Sequence, residues 1–143
     1  VNGVTLHPLK QIENPKGSIY HAIKRSSPGF SGFGEAYFST VAYNETKGWK
    51  RHRKMTLNLV VPVGEIEFVV RQDDAPDSEY FAVRLSQSNY QRLTVEPGLW
   101  MAFRGLGSQS NMLLNIASIE HDPDEADNRD LDSMTYPESP SAP

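Results

Sequence analysis

The sequence predicts an all-β sandwich or barrel, and three observations carry that expectation. Seven to nine short β-forming runs follow one another, with turn signals roughly every 7–12 residues. No helical pattern extends beyond about ten residues, and no internal repeat is visible. At 143 residues the chain suits one domain with a sizeable core.

Taken in order, residues 1–12 (VNGVTLHPLKQI) read as an arm or edge strand, because Pro8 cannot donate to a central ladder. ENPKG at 13–17 is a turn by composition. Residues 18–24 (SIYHAIK) fit a strand and 25–34 (RSSPGFSGFG) a loop with aromatics at its tip. Residues 35–43 (EAYFSTVAY) are rich in β-formers and put Tyr37, Ser39, Val41 and Tyr43 on one face. The run 48–64 (GWKRHRKMTLNLVVPVG) carries a basic, histidine-bearing segment straight into an apolar strand and closes on a turn at Gly64. Residues 65–71 (EIEFVVR) alternate again, 72–78 (QDDAPDS) form a turn cluster, and 80–85, 91–95 and 99–103 are three further strands. Residues 111–118 (NMLLNIAS) read as one more buried strand. The expected domain is therefore 1–119, a single β-barrel with an N-terminal edge arm. Residues 120–143, acidic and then Pro/Ser-rich, are expected as a loosely held tail.

The formal net charge of −4 hides a split. Residues 120–143 hold eight acids against Arg129 alone, a net of −7, which leaves the body at +3. That balance suits an anionic small ligand and is too slight for a surface that tracks nucleic acid. The chain has no cysteine, so disulfides and thiolate zinc sites are excluded. No apolar run approaches the roughly 18 residues of a membrane span, and no apolar segment marks a signal peptide, so a cytoplasmic location is expected.

The basic run holds the candidate chemistry. If 48–64 is extended, Lys50, His52, Lys54, Thr56 and Asn58 share one face, with Trp49, Arg51, Arg53, Met55 and Leu57 on the other. His52 is the candidate base, and Lys50, Lys54 or Asn58 are candidate donors to developing negative charge. Tyr37 and Tyr43, in phase on the preceding strand, are candidate acids. Arg71 and Arg104 are candidate clamps for a pyrophosphate, Arg51 adds a cation, and Trp100 offers a stacking surface. A single imidazole beside a lysine is a poor divalent-metal site, so neither metal nor other cofactor is expected.

The arrangement resembles a cupin, the double-stranded β-helix or jelly-roll barrel. More closely, it resembles the family of dTDP-4-dehydrorhamnose 3,5-epimerase (RmlC-like cupins), in a short branch met in polysaccharide-biosynthesis genes. The stretches that carry the resemblance are GVTLHPLKQI, FGEAYFSTV, KGWKRHRKMTLNLVV, VEPGLWMAFRGLG and ASIEHDPDE, which span most of residues 3–125. It implies a homodimer acting on a nucleotide-linked 4-keto-6-deoxysugar. Matched residue by residue, it puts the family's base at His52 and its phosphate-binding Arg-Gly at Lys16-Gly17. Its second barrel histidine falls at Met101, and its tyrosine acid at Leu114 or Asn115. The carboxylate that orients the base in longer members lies in a segment this chain does not match. The expected function is that of an epimerase or isomerase. Alternatives are a sugar 3,4-ketoisomerase, whose paired histidines fall at Lys50 and His52, and a non-catalytic nucleotide-sugar-binding cupin.

Overall fold

Two five-stranded antiparallel sheets pack face to face as a jelly-roll barrel in the computed structural model, which describes residues 1–137. The strands are β1 (Val4–Pro8), β2 (Gln11–Ile12), β3 (Ile19–Tyr20), β4 (Glu35–Thr40), β5 (Thr46–His52), β6 (Leu57–Val63), β7 (Glu65–Arg71), β8 (Tyr80–Ser86), β9 (Gln91–Val95), β10 (Trp100–Gly105), β11 (Met112–Ala117) and β12 (Ala126–Asn128). One sheet has the order β1-β9-β6-β11-β4, the other β12-β5-β10-β7-β8, and β2 and β3 form a small separate hairpin. No helix among the described residues is long and apolar enough to cross a membrane.

The core lies between the sheets and is built by alternation. Leu57, Leu59 and Val61 of β6 face Ile66, Phe68 and Val70 of β7, and Leu93 and Val95 of β9 close the layer. β1 pairs with β9 from Val4↔Val95 to Pro8↔Gln91, at the sheet edge where a proline is tolerated.

The structure corrects two expectations. Residues 48–64 are not one strand. Residues 53–56 bend between β5 in one sheet and β6 in the other, so the side-chain phase is not carried across them. The acidic segment is not a loose tail through residue 137. Single 3-10 turns at Pro123–Glu125 and Leu131–Ser133 flank β12, which pairs with β5 from Ala126↔His52 to Asn128↔Lys50.

This strap then covers the outer face of the second sheet. Trp49, Val69, Trp100, Ala102 and Met134 form a second buried cluster there, with Tyr136 packed against it. Trp49 and Arg129 exchange backbone hydrogen bonds of 3.1 and 3.0 Å, and the Trp49 indole N–H donates to the Leu131 carbonyl at 3.1 Å. The strap explains why β7 is buried on both faces. Its outward Glu67 accepts from Arg84 at 3.2 Å and from the Tyr136 hydroxyl at 2.8 Å, and Arg71 donates to the Thr135 carbonyl. Buried charge is tolerated only with such partners. Residues 138–143, the Pro/Ser-rich stretch, lie outside the described residues.

Candidate active site

Alternation along β5 sets the site. Arg51 pairs across to Trp100 of β10 and lays its guanidinium over that indole, 4.7 Å from the ring centre, on the outer face. Its neighbours Lys50 and His52 take the opposite phase and line a cavity of about 340 Å³ between the sheets. The cavity floor is apolar, with Leu57, Leu59, Met101 and Phe103. Lys47, Lys50 and His52 bound one side, and Tyr37, Ser39 and Asn115, from β4 and β11, also line it. An apolar bed with a few converging polar groups is the usual make-up of a small-molecule site.

His52 is held by a carboxylate. Its Nδ1 hydrogen-bonds Oε1 of Glu125, while Oε2 accepts from the backbone N–H groups of Lys54 at 3.1 Å and Met55 at 3.3 Å. Glu125 is buried at 4 % exposure in the 3-10 turn ahead of β12, and the backbone of Arg53 donates to its carbonyl. Burial pushes its carboxyl up. The hydrogen bond from His52, the Lys54 N–H, the charge of His52 and the Met55 N–H outweigh that and hold it below its ordinary 4.5. An ionised Glu125 accepts the Nδ1 proton, which leaves Nε2 as the basic nitrogen.

The depressed value has a stability consequence. Unfolding releases Glu125 to its ordinary value, so the native state gains from the carboxylate above about pH 4.5. That gain is lost as the pH falls from 4.5 through the lower native value. Thermal melts of wild type and Glu125→Gln are therefore expected to differ most above pH 4.5 and to converge below it. A gap that stays constant on acidification would contradict the assignment.

Of the candidate residues, the structure brings together His52, Lys50 and Tyr37 at the cavity. It does not bring Asn58 to them. Beyond the bend, Asn58 faces the other side of its sheet, where its carbonyl oxygen accepts from Thr94 at 2.7 Å and from Arg92, and its amide donates to Gly29. Lys54 sits in the exposed bend, away from the cavity lining. Lys16 is in an exposed turn whose N–H donates to Asn14. Arg51 pairs with Asp127, and Arg104 with Glu67, both on the outer face. Arg71 is spent on the carbonyls of Ala75, Pro76 and Thr135, and Trp100 is a fully buried part of the strap cluster. Tyr43 is exposed and absent from the cavity lining. Leu114 faces outward, so of the two matched positions Asn115 is the one that reaches the cavity, beside Leu113.

Sequence reasoning missed Glu125 and Lys47; it put Ser39 in phase with Tyr37 without giving it a role, and it reached Asn115 only as one of two positions matched to the family's tyrosine. The HDPDE stretch was the available signal for Glu125, but 73 residues separate it from His52. Among the described residues, no group of three or more His, Asp or Glu side chains is placed to hold a metal ion.

No protein-family model matches the chain, and no curated protein sequence does. Solved structures do. A dTDP sugar isomerase from Desulfovibrio desulfuricans G20 is 35% identical, with a TM-score of 0.86 over 92% of this chain and 87% of that one. QdtA, a sugar 3,4-ketoisomerase from Thermoanaerobacterium thermosaccharolyticum solved with TDP, is 22% identical with a TM-score of 0.76, over 92% and 91%. A mutant of ChmJ, a 3′-monoepimerase from Streptomyces bikiniensis solved with dTDP, shares the fold at 14% identity and a TM-score of 0.78, over 90% and 69%. The fold, the shared sequence and the length over which both run have one explanation: the chain belongs to the RmlC-like cupin family.

Proposed function

We propose that this chain is an isomerase or epimerase of a nucleotide-linked 4-keto-6-deoxysugar, with His52 as general base. The observation that carries the reading is the Glu125–His52 pair set against Lys50 and Tyr37 around one cavity. A ketone at C4 acidifies the C3–H bond, and a neutral imidazole held at Nδ1 by a carboxylate presents Nε2 for that proton. Lys50, two residues away on the same strand face, supplies positive charge for the enolate oxygen. Tyr37 supplies a proton for the rebound carbon. Return of a proton to C3 from the other face gives epimerisation; delivery to C4, with the 3-hydroxyl proton passing to O4, gives the 3,4-ketoisomer. The similarity to the dTDP sugar isomerase at 35% identity is compatible with either outcome. A non-catalytic binding cupin would have no need of a buried carboxylate behind its histidine. We place the enzyme in surface-polysaccharide biosynthesis, as a homodimer.

The test is proton exchange in D₂O with TDP-4-keto-6-deoxyglucose and its UDP, GDP and CDP counterparts. Wild type is expected to wash deuterium into the sugar, and His52→Asn to bind the same compound without exchange. Absence of exchange by wild type with all four would remove the enzyme reading.

A further inference from the structure

One polar side chain on the inner wall is not explained by packing. Asn115 is 1% exposed, and its strand neighbours in phase, Leu113 and Ala117, belong to the apolar core. Across the ladders it faces Leu59 on β6 and Tyr37 on β4. Its amide nitrogen donates to the Tyr37 hydroxyl oxygen at 3.1 Å. Its carbonyl oxygen is buried with no hydrogen-bond partner, on a residue that lines the cavity. A buried acceptor left open is destabilising, and a leucine would fill the same volume without that cost. A donor arriving in the cavity, with the amide turned toward it, would answer it.

The donor's chemistry follows from the site, on the nucleotide-sugar reading above. The nearest candidate donors on the sugar ring are the 3-hydroxyl on the reacting carbon and the 2-hydroxyl beside it. The same amide acts on Tyr37. Because Asn115 donates to the phenol oxygen, the tyrosine's own proton is directed away from the amide. We propose that Asn115 is a specificity-determining and positioning residue. Its carbonyl accepts a hydrogen bond from one of these two sugar hydroxyls, and its amide aims the Tyr37 proton at the substrate.

The two halves are tested by different variants. Exchange rates are measured for wild type, Asn115→Leu and Asn115→Asp with TDP-4-keto-6-deoxyglucose and with its 2-deoxy and 3-deoxy analogues. Wild type is expected to favour the parent over one analogue by about 10- to 100-fold in kcat/KM, the size of one unanswered buried polar group. In Asn115→Leu that preference should fall to within about threefold, with the preference over the other analogue unchanged. Asn115→Asp keeps the acceptor and loses the donor. It should retain the preference but slow exchange at least about tenfold and shift the pH–rate profile, as Tyr37 turns its proton to the carboxylate.

An equal preference in wild type and Asn115→Leu, or none in wild type, overturns the assignment. Should Asn115→Leu fail to fold, the wild-type preference and the Asn115→Asp profile still decide it. Failure of wild type to exchange the TDP compound or any of its UDP, GDP and CDP counterparts would remove the nucleotide-sugar reading and this assignment together. Exchange with unaltered selectivity removes this assignment alone.

Discussion

Glu125→Gln is expected to lower the exchange rate of the cavity's histidine by about 10²–10⁴-fold while substrate affinity changes only a few-fold. The argument is one of tautomers. In wild type the carboxylate accepts from Nδ1–H, and Nε2 carries the lone pair. A glutamine can still accept from the Lys54 and Met55 N–H groups with its carbonyl oxygen, as Oε2 does now. Its NH₂ then meets Nδ1 and must donate to it, so the ring proton moves to Nε2 and the base is gone. Rapid-quench or mass-spectrometric exchange measures the loss, and calorimetry measures the retained binding. Glu125→Gln with wild-type exchange would mean that another group takes the proton. Glu125→Ala makes a poorer test, because it also strips two backbone donors of their acceptor.

The second large effect concerns the strap. Trp49→Ala is expected to cost about 3–5 kcal/mol, the range for deleting a buried aromatic side chain. For a chain of this size that lowers Tm by roughly 10 °C or more. Trp49 is 1 % exposed, packs against Met134 and Tyr136, and bonds Leu131 through its indole N–H. Tyr43→Ala, at an aromatic 60 % exposed, is the matched control and should change stability by no more than about 0.5 kcal/mol. Equal melting of Trp49→Ala and wild type would mean that the strap does not hold this face. The same substitution is expected to slow exchange, because it loosens the segment that carries Glu125.

What could be read in the sequence, and what could not, divides along the range of the interactions. The strands 65–71 and 91–95 were legible to the residue, since alternating or β-branched runs bounded by turn residues leave little freedom. Tyr37 and Ser39 were correctly put in phase because their strand is regular. Asn58 was misplaced because nothing in Arg53-Lys54-Met55-Thr56 announces a bend. There is no glycine or proline, and a phase carried across a change of sheet loses its meaning. Glu125 lay in a run of acids, and such runs usually face solvent. Only the barrel's closure shows that one of them turns inward. Asn115 was visible as a polar interruption of an apolar strand, but without its cross-strand partner it could not be told from Leu114.

The position of β12 also orders events during synthesis. The two sheets can pair strands β1 to β11 once residue 117 has left the ribosome, and His52 is then already present. Its orienting carboxylate comes eight residues later, and the strap that fastens it later still. A nascent chain that has emerged only to β11 therefore carries a shaped barrel whose histidine is free to take either tautomer. Chains grow from the N-terminus at about 5–20 residues per second, so this interval lasts on the order of seconds. During it the barrel is in place while the histidine still lacks the carboxylate that fixes its proton.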